Sequence, residues 1–402
     1  MILTIVIFAA TYIVVAIGRV PGFRLDRAGA ALIGAALMVA AGALSPDEAF
    51  GAINLDTLAL LLGMMIVVAN LRLAGFFALC HDWIIRRAHR PVLLLIGIVG
   101  VGGLLSAVLV NDTVCLMLTP LVAETVRNLK RNPIPYLLAL AMASNAGGVA
   151  TITGNPQNMM IGSLSGIEFS DFAAHLAPVA AIALVIIVLV VAVVWRHEFL
   201  GQPRFEAAPP RLTVNAWLLT KSLAVTVGVI VACFVGVRPA LAAILGGALL
   251  FLTRRLKPAR IYRDIDWSLL LLFAGLFIVV AAMQKAVVTP DLLARVHALP
   301  LNQTPVLALL TAVLSNLVSN VPAVLVLKPF VVTLADPKQA WLVLAMAATL
   351  AGNFTILGSI ANLIVVQGAA RRDIRIGFWT YFAVGAPVTI ITLVMGVLWL
   401  SR

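Results

Sequence analysis

Apolar residues fill this chain in runs of about 20, each long enough to cross a hydrocarbon core of roughly 30 Å as a helix. The interruptions are of two kinds. Some are short loops rich in Arg and Lys. Others are clusters of Gly, Asn, Ser and Pro set inside otherwise apolar sequence, and these come in pairs. NDTVCLMLTP at 111–120 returns as NVPAVLVLKP at 320–329. AMASNAGGVATITGNPQN at 141–158 returns as AMAATLAGNFTILGSIAN at 345–362, with eight of eighteen positions identical. The spacing between the two segments is similar in both halves, which points to one duplicated unit. Matched, broken apolar segments in two halves predict a polar site where the repeats meet.

Composition agrees with a membrane: 62% of residues are hydrophobic and 11% charged. MILTIVIFAATYIVVAIG at 1–18 has no basic start and no small-residue cleavage site, so it reads as a retained first span. Three separated cysteines suggest neither a disulfide framework nor a metal cluster. The net charge of +12 resolves into loops: 22 of the 28 Lys and Arg residues fall in six groups, beginning at Arg19, Arg72, Arg127, Arg196, Arg254 and Arg371. Basic loops mark the cytoplasmic side, so the charge orients a multi-pass protein in the cytoplasmic (inner) membrane and is not a nucleic-acid surface.

Loop placement also predicts topology. Only 36 residues, 91–126, separate two basic groups on the same side. At about 1.5 Å per residue this segment barely crosses twice. A re-entrant hairpin turning near Asn111, Asp112 and Thr113 fits, with two ordinary spans and a short outer loop as the alternative. The expected architecture is an all-α integral membrane protein of about ten transmembrane helices plus two re-entrant hairpins. Residues 1–195 form the first repeat, with a hairpin at about 91–126 and a broken helix at about 141–160. A cytoplasmic linker at 196–215 follows. Residues 216–402 form a second repeat, with a hairpin at about 300–335 and a broken helix at about 345–362. Five crossings per repeat invert the second copy.

Non-helical backbone at membrane depth survives only where protein or water satisfies it, so the breaks are the candidate chemistry. Helix N-termini facing a break favour an anion, and free carbonyls favour a cation. The candidate substrate- or ion-binding residues are Asn111, Asp112, Thr113, Ser144, Asn145, Thr151, Thr153, Asn155, Asn158, Ser319, Asn320, Thr355 and Asn362, with Gln157 among the neutral hydrogen-bonders. A coupling Na⁺ would sit near Asn111, Asp112 and Asn155 or near Asn320; H⁺ is the other candidate, and no organic cofactor is expected. Asp112 stands out as a carboxylate near mid-depth, with helix capping as its alternative role. Lys328 either attracts an anion or snorkels outward. Asp56 and Asp266 are expected to cap corresponding helices. Five His without metal-ligand spacing, and no nucleophile beside a base, argue against an enzyme.

VNDTVCLMLTP at 110–120, ASNAGGVATITGNPQNMMIG at 143–162 and SNVPAVLVLKP at 319–329 resemble the ion transporter superfamily of arsenite permeases, NhaD-type antiporters, citrate carriers and divalent-anion:sodium symporters. The likeness covers nearly the whole chain. It implies a homodimer with a scaffold domain, a moving transport domain and an elevator-like cycle. The divalent-anion symporters carry Ser-Asn-Thr at both tips. Here the first tip keeps only Asn111 and the second only Ser319 and Asn320, and an acid at the first tip resembles the arsenite permeases and antiporters. The expected function is secondary transport of a small anion, a carboxylate or inorganic oxyanion, coupled to Na⁺ or H⁺. Arsenite efflux and Na⁺/H⁺ antiport are the alternatives.

Overall fold

The computed structural model describes residues 2–17, 25–199, 214–253, 256–287 and 300–402, and every regular element among them is helical. The first half runs α1 (Ile2–Ile17), α2 (Arg27–Ala40), α3 (Pro46–Ala52), α4 (Leu55–Ala74), α5 (Phe76–Arg87), α6 (Pro91–Val108), α7 (Asn111–Asn128), α8 (Pro133–Gly148), α9 (Pro156–Ser165) and α10 (Phe169–Val194). After the short α11 (Arg196–Phe199) come α12 (Ala216–Phe234), α13 (Pro239–Phe251), α14 (Pro258–Asp264), α15 (Trp267–Val287), α16 (Thr304–Val318), α17 (Asn320–Val331), α18 (Pro337–Ala351), α19 (Ile360–Ala370) and α20 (Phe378–Leu400). Most of the expected linker, residues 200–213, lies outside the described residues. Its first turn is anchored: Tyr136 donates to Glu198 Oε1 at 3.2 Å, and burial pushes the Glu198 carboxyl above its usual range.

Among the described residues, six helices are individually long and apolar enough to cross a membrane, and six further apolar helices are shorter. Their outer faces carry apolar stripes at helical spacing, such as Val185, Leu189 and Val193 on α10 and Leu309, Val313 and Leu317 on α16, all exposed. Exposed stripes of this kind on several helices suit lipid.

The centre belongs to α8 and α18. Pro135 to Gly148 and Ala340 to Ala351 are buried without a gap, the signature of a helix surrounded on all sides. Both stop abruptly. Between α8 and α9 the chain makes a 3₁₀ turn at Ile152–Gly154, and between α18 and α19 another at Ile356–Gly358. The helix pair α6–α7 packs on α8, and α16–α17 packs on α18.

Around this centre, α15 packs on α2 and α13 on α4, so each half embraces the other. Small residues permit it. A Cβ on Gly63 would lie 2.4 Å from the Ala243 carbonyl carbon, and one on Gly275 would lie 2.7 Å from that of Ala31. The same step along the chain separates Gly63 from Gly275 and Ala31 from Ala243. Close backbone approach at Gly and Ala is how apolar helices gain dispersion contact where the hydrophobic effect is absent. In the last turn of α15, Lys285 Nζ meets Glu48 Oε1 of α3 at 2.6 Å and holds that carboxyl below its usual range.

Two expectations need correction. Asn111, Asp112 and Thr113 are not an irregular tip: they form the first turn of α7, and the turn itself is Leu109 and Val110 in extended conformation. Likewise Gly147 and Gly148 end α8, and Pro156 to Asn158 begin α9. Pro at N1 and polar residues in a first turn suit the free N–H groups there. Asp56 does not cap α4. Asn54 does, accepting from Thr57 N at 2.8 Å, while Asp266 caps α15 from the matching position, accepting from Leu269 N at 3.0 Å.

Candidate functional site

The two breaks are closed by the same device. Asn158 Nδ2 donates to Gly148 O and Thr151 O, each at 3.0 Å; Asn362 Nδ2 donates to Gly352 O at 2.7 Å and Thr355 O at 3.0 Å. An amide from the second half-helix thus satisfies carbonyls left open by the first, which in an apolar interior would otherwise cost several kcal/mol each, on the order of the transfer penalty for an unpaired amide. Asn155 adds to this: its Nδ2 donates to Gly148 O at 3.0 Å, and its Oδ1 accepts from Asn158 N at 2.8 Å to cap α9. Ser359 caps α19 through Ala361 N at 3.2 Å.

Asn145 joins the halves. Its amide donates to Asn353 Oδ1 at 2.8 Å and Asn362 Oδ1 at 3.1 Å, and its oxygen accepts from Asn111 Nδ2 at 3.1 Å and Ser359 Oγ at 3.0 Å. All four interactions of one buried side chain are therefore used. At the matching position Thr349 Oγ1 accepts from Gln157 Nε2 at 3.1 Å and Asn155 Nδ2 at 3.3 Å. The tips are tied to the broken helices by serines. Ser144 Oγ donates to Asn111 O at 2.9 Å and contacts Ser106 Oγ at 2.9 Å; Ser315 Oγ donates to Ala348 O at 3.1 Å. The Asn320 amide is read with its nitrogen toward Ala348 O and Gly358 O, both 3.2 Å, so that its oxygen accepts from Gln157 Nε2 at 3.2 Å; the opposite orientation faces like against like. Thr151 donates to Ala107 O and lies 3.2 Å from Thr153 Oγ1, tying the break to the end of α6.

A cavity opens where the two tips and two breaks converge. It is lined by Asn111, Asp112, Gln157, Ser319, Asn320 and Ser359, with Arg27 reaching in from α2, and apolar walls from α1, α15 and α17. About 40 Å³ is open to the centres of water molecules, room for a few waters or a small solute. The first residues of α7, α9, α17 and α19 (Asn111, Pro156, Asn320 and Ile360) all stand on its wall. Four helix N-termini, each equivalent to roughly half a positive charge, therefore face one small space. Buried Asn111 Oδ1 has no donor. Ser319, which alone forms the α16–α17 turn, has φ of +77°, a region costly for any residue with a Cβ.

Of the residues expected from sequence, Asn111, Asp112, Ser319 and Asn320 line this cavity. Ser144, Asn145, Asn155, Asn158 and Asn362 instead hold the frame that shapes it. Thr151 and Thr153 brace the first break, and Thr355 lends the second break its carbonyl. Thr113 lines an adjoining chamber with Asp112, Arg72, Asp264 and Asp266, where Arg72 pairs with Asp264 at 3.0 Å. Arg27, Ser359, Thr349, Asn353 and Ser315 were not expected at the site. Arg27 was hidden by its place in a basic loop group, although the repeat alignment puts Ser359 opposite Asn155 and Thr349 opposite Asn145. Lys328 lies apart, in an outer groove with Asp56 and Gln284. Among the described residues no cluster of three His, Cys, Asp or Glu side chains could hold a metal.

Apolar outer faces around a buried polar cavity define a multi-pass membrane protein built to pass a polar solute. A sequence profile for the citrate transporter family (CitMHS) matches residues 12–351, and the chain belongs to that family of membrane transporters. A transporter of Mycobacterium tuberculosis (strain ATCC 25618 / H37Rv) is 32% identical over 425 residues, covering 99% of this chain and 98% of the relative. The silicon efflux transporter LSI3 of Oryza sativa subsp. japonica is 29% identical, covering 98% of this chain and 96% of its own. A transporter designated arsB in Dictyostelium discoideum is 24% identical over 93% of this chain. The crystal structure of the Alcanivorax borkumensis YdaH transporter superposes with a TM-score of 0.62 over 98% of this chain and 95% of its own, at 13% identity, a likeness of fold.

Proposed function

We propose that the protein is a secondary active transporter of a small anion, a carboxylate or inorganic oxyanion, coupled to Na⁺ or H⁺ at Asp112. The carrying observation is the convergence of four helix N-termini on one cavity, joined there by Arg27. Two inverted repeats, each of five crossings and a re-entrant hairpin, form the body. Helices α1–α5 and α12–α15 are the scaffold, and α6–α9 with α16–α19 move as the transport unit in an elevator-like cycle within a homodimer. The repeated element order, the mutual packing of α2 with α15 and α4 with α13, and the six basic loop groups support this plan.

A second reading is export of a small undissociated oxyacid. Asn111 lines the cavity and its buried Oδ1 has no donor, which leaves an acceptor for a solute hydroxyl once the site opens, and the names of the rice and Dictyostelium relatives point the same way. Proteoliposomes carrying the full chain, offered citrate, phosphate, arsenite and silicic acid under imposed Na⁺ or pH gradients, separate the readings. Gradient-driven movement of citrate or phosphate is the expected result. Movement of arsenite or silicic acid alone selects the second reading, and movement of none removes both.

A further inference from the structure

Arg27 and Asp112 line the same small cavity from opposite units, Arg27 on the first turn of α2 and Asp112 on the first turn of α7. They interact electrostatically, yet no ion pair or hydrogen bond joins them. Neither side chain has another such partner among the described residues. Both are half-buried. A half-buried guanidinium and a half-buried carboxylate that line one cavity without forming an ion pair are each short of a counter-charge. The other charged or titratable groups near Asp112 are Asp266 at the N-terminus of α15, the Arg72–Asp264 pair in the adjoining chamber, and Cys115 one turn along α7. Arg72 is already committed to Asp264, so Arg27 is the uncommitted cation.

We propose that Arg27 is a shared cation, paired with Asp112 when that carboxylate is ionised and with the transported anion when it is protonated. The inference rests on the anion-transport reading above and adds what links the coupling ion to the solute. Ionised Asp112 draws the guanidinium to itself, and the solute then meets four helix N-termini but no full positive charge. A proton on Asp112 frees Arg27, and the anion takes its place. Proton and anion therefore bind with positive linkage, each raising the affinity for the other by the same factor, so the loaded site carries both. The position matters as much as the charge, because Arg27 belongs to the scaffold and Asp112 to the moving unit. Transfer of Arg27 from carboxylate to solute changes what ties the two units together. In the second half the matching hairpin residue is Val321, so the device exists once per chain.

The test uses full-length protein in proteoliposomes with radiolabelled citrate and phosphate as probes, reading apparent affinity in counterflow between about pH 5.5 and 8.5. Asp112→Asn supplies the baseline, since its profile contains only the probe's own ionisation. Relative to that baseline, wild-type affinity should fall roughly tenfold or more as pH rises, within the usual range for coupled sites. Arg27→Gln should bind the probes about tenfold more weakly at low pH and lose the pH linkage, while Arg27→Lys should keep the linkage at reduced affinity. Rescue by lysine is the outcome that a merely structural arginine would not give. Wild-type affinity that rises with pH, or Arg27→Gln with wild-type affinity and profile, overturns the inference. Wild-type protein that moves neither probe overturns the anion-transport reading itself.

Discussion

The two tip-and-break units are built alike and equipped differently. Asn158 and Asn362 close their breaks through the same pair of carbonyls, and Ser106 and Ser315 brace their tips from matching positions. Yet Asp112 faces Val321 in the alignment, Asn145 faces Thr349, Gln157 faces Ala361 and Thr119 faces Lys328. The repeated residues satisfy backbone opened by the architecture; the unmatched ones supply charge and cross-links. The comparison teaches that the pairs Asn158/Asn362 and Ser106/Ser315 answer a need both breaks share, while charge at Asp112 and the cross-link at Asn145 are added on one side only.

That division can be broken most severely at Asn145. Asn145→Ala strips partners from Asn111, Asn353, Asn362 and Ser359 at once, and at roughly 1–3 kcal/mol per buried group left unpaired the loss is several kcal/mol. Thermal unfolding in detergent should show a large fall, whereas Thr349→Ala, which removes one acceptor from each of two amides that keep another, should cost less than half as much. Next come Asn158→Ala and Asn362→Ala. If the breaks are equivalent, their losses agree to within about 1 kcal/mol, the ordinary spread for such contacts; a large disparity would deny the shared device.

Ser319 sharpens the comparison of the tips, because the first turn uses two extended residues and the second one residue at positive φ. Ser319→Gly should stabilise the protein by up to about 1 kcal/mol, and Ser319→Val should destabilise it by more than that, with unfolding midpoints as the readout. The smallest effect belongs to the exposed Glu48–Lys285 pair. Its carboxyl lies below the usual range in the folded protein, so its contribution is present above the unfolded carboxylate range and disappears as pH falls through the folded value. Glu48→Gln should leave stability at neutral pH almost unchanged and only flatten its acid limb.

Sequence reveals much of this frame because polar residues inside apolar runs are expensive and therefore conspicuous. Asn111, Asp112, Ser319 and Asn320 were visible for that reason. It could not say that Asn145 is consumed by side chains more than 30 residues away and across the repeats, nor that Asn155 and Asn158 fold back onto carbonyls 7 to 10 residues earlier, since that depends on how the chain turns at the break. Nor did it separate Arg27 from its basic loop: charge counts assign sides, and a guanidinium at a helix start can still turn inward. Asp56 misled for a local reason, as Asn54 two residues earlier supplies the cap.

The most direct test joins the two tips. Cysteines placed at Asp112 and Val321, in a chain whose Cys80, Cys115 and Cys233 have been replaced, should be bridged within one chain by a short bifunctional thiol reagent in the membrane, because both positions line the same cavity. Intramolecular bridging is the predicted result. Absence of bridging, with the two cysteines labelled independently from opposite faces of the membrane, would contradict a single shared cavity.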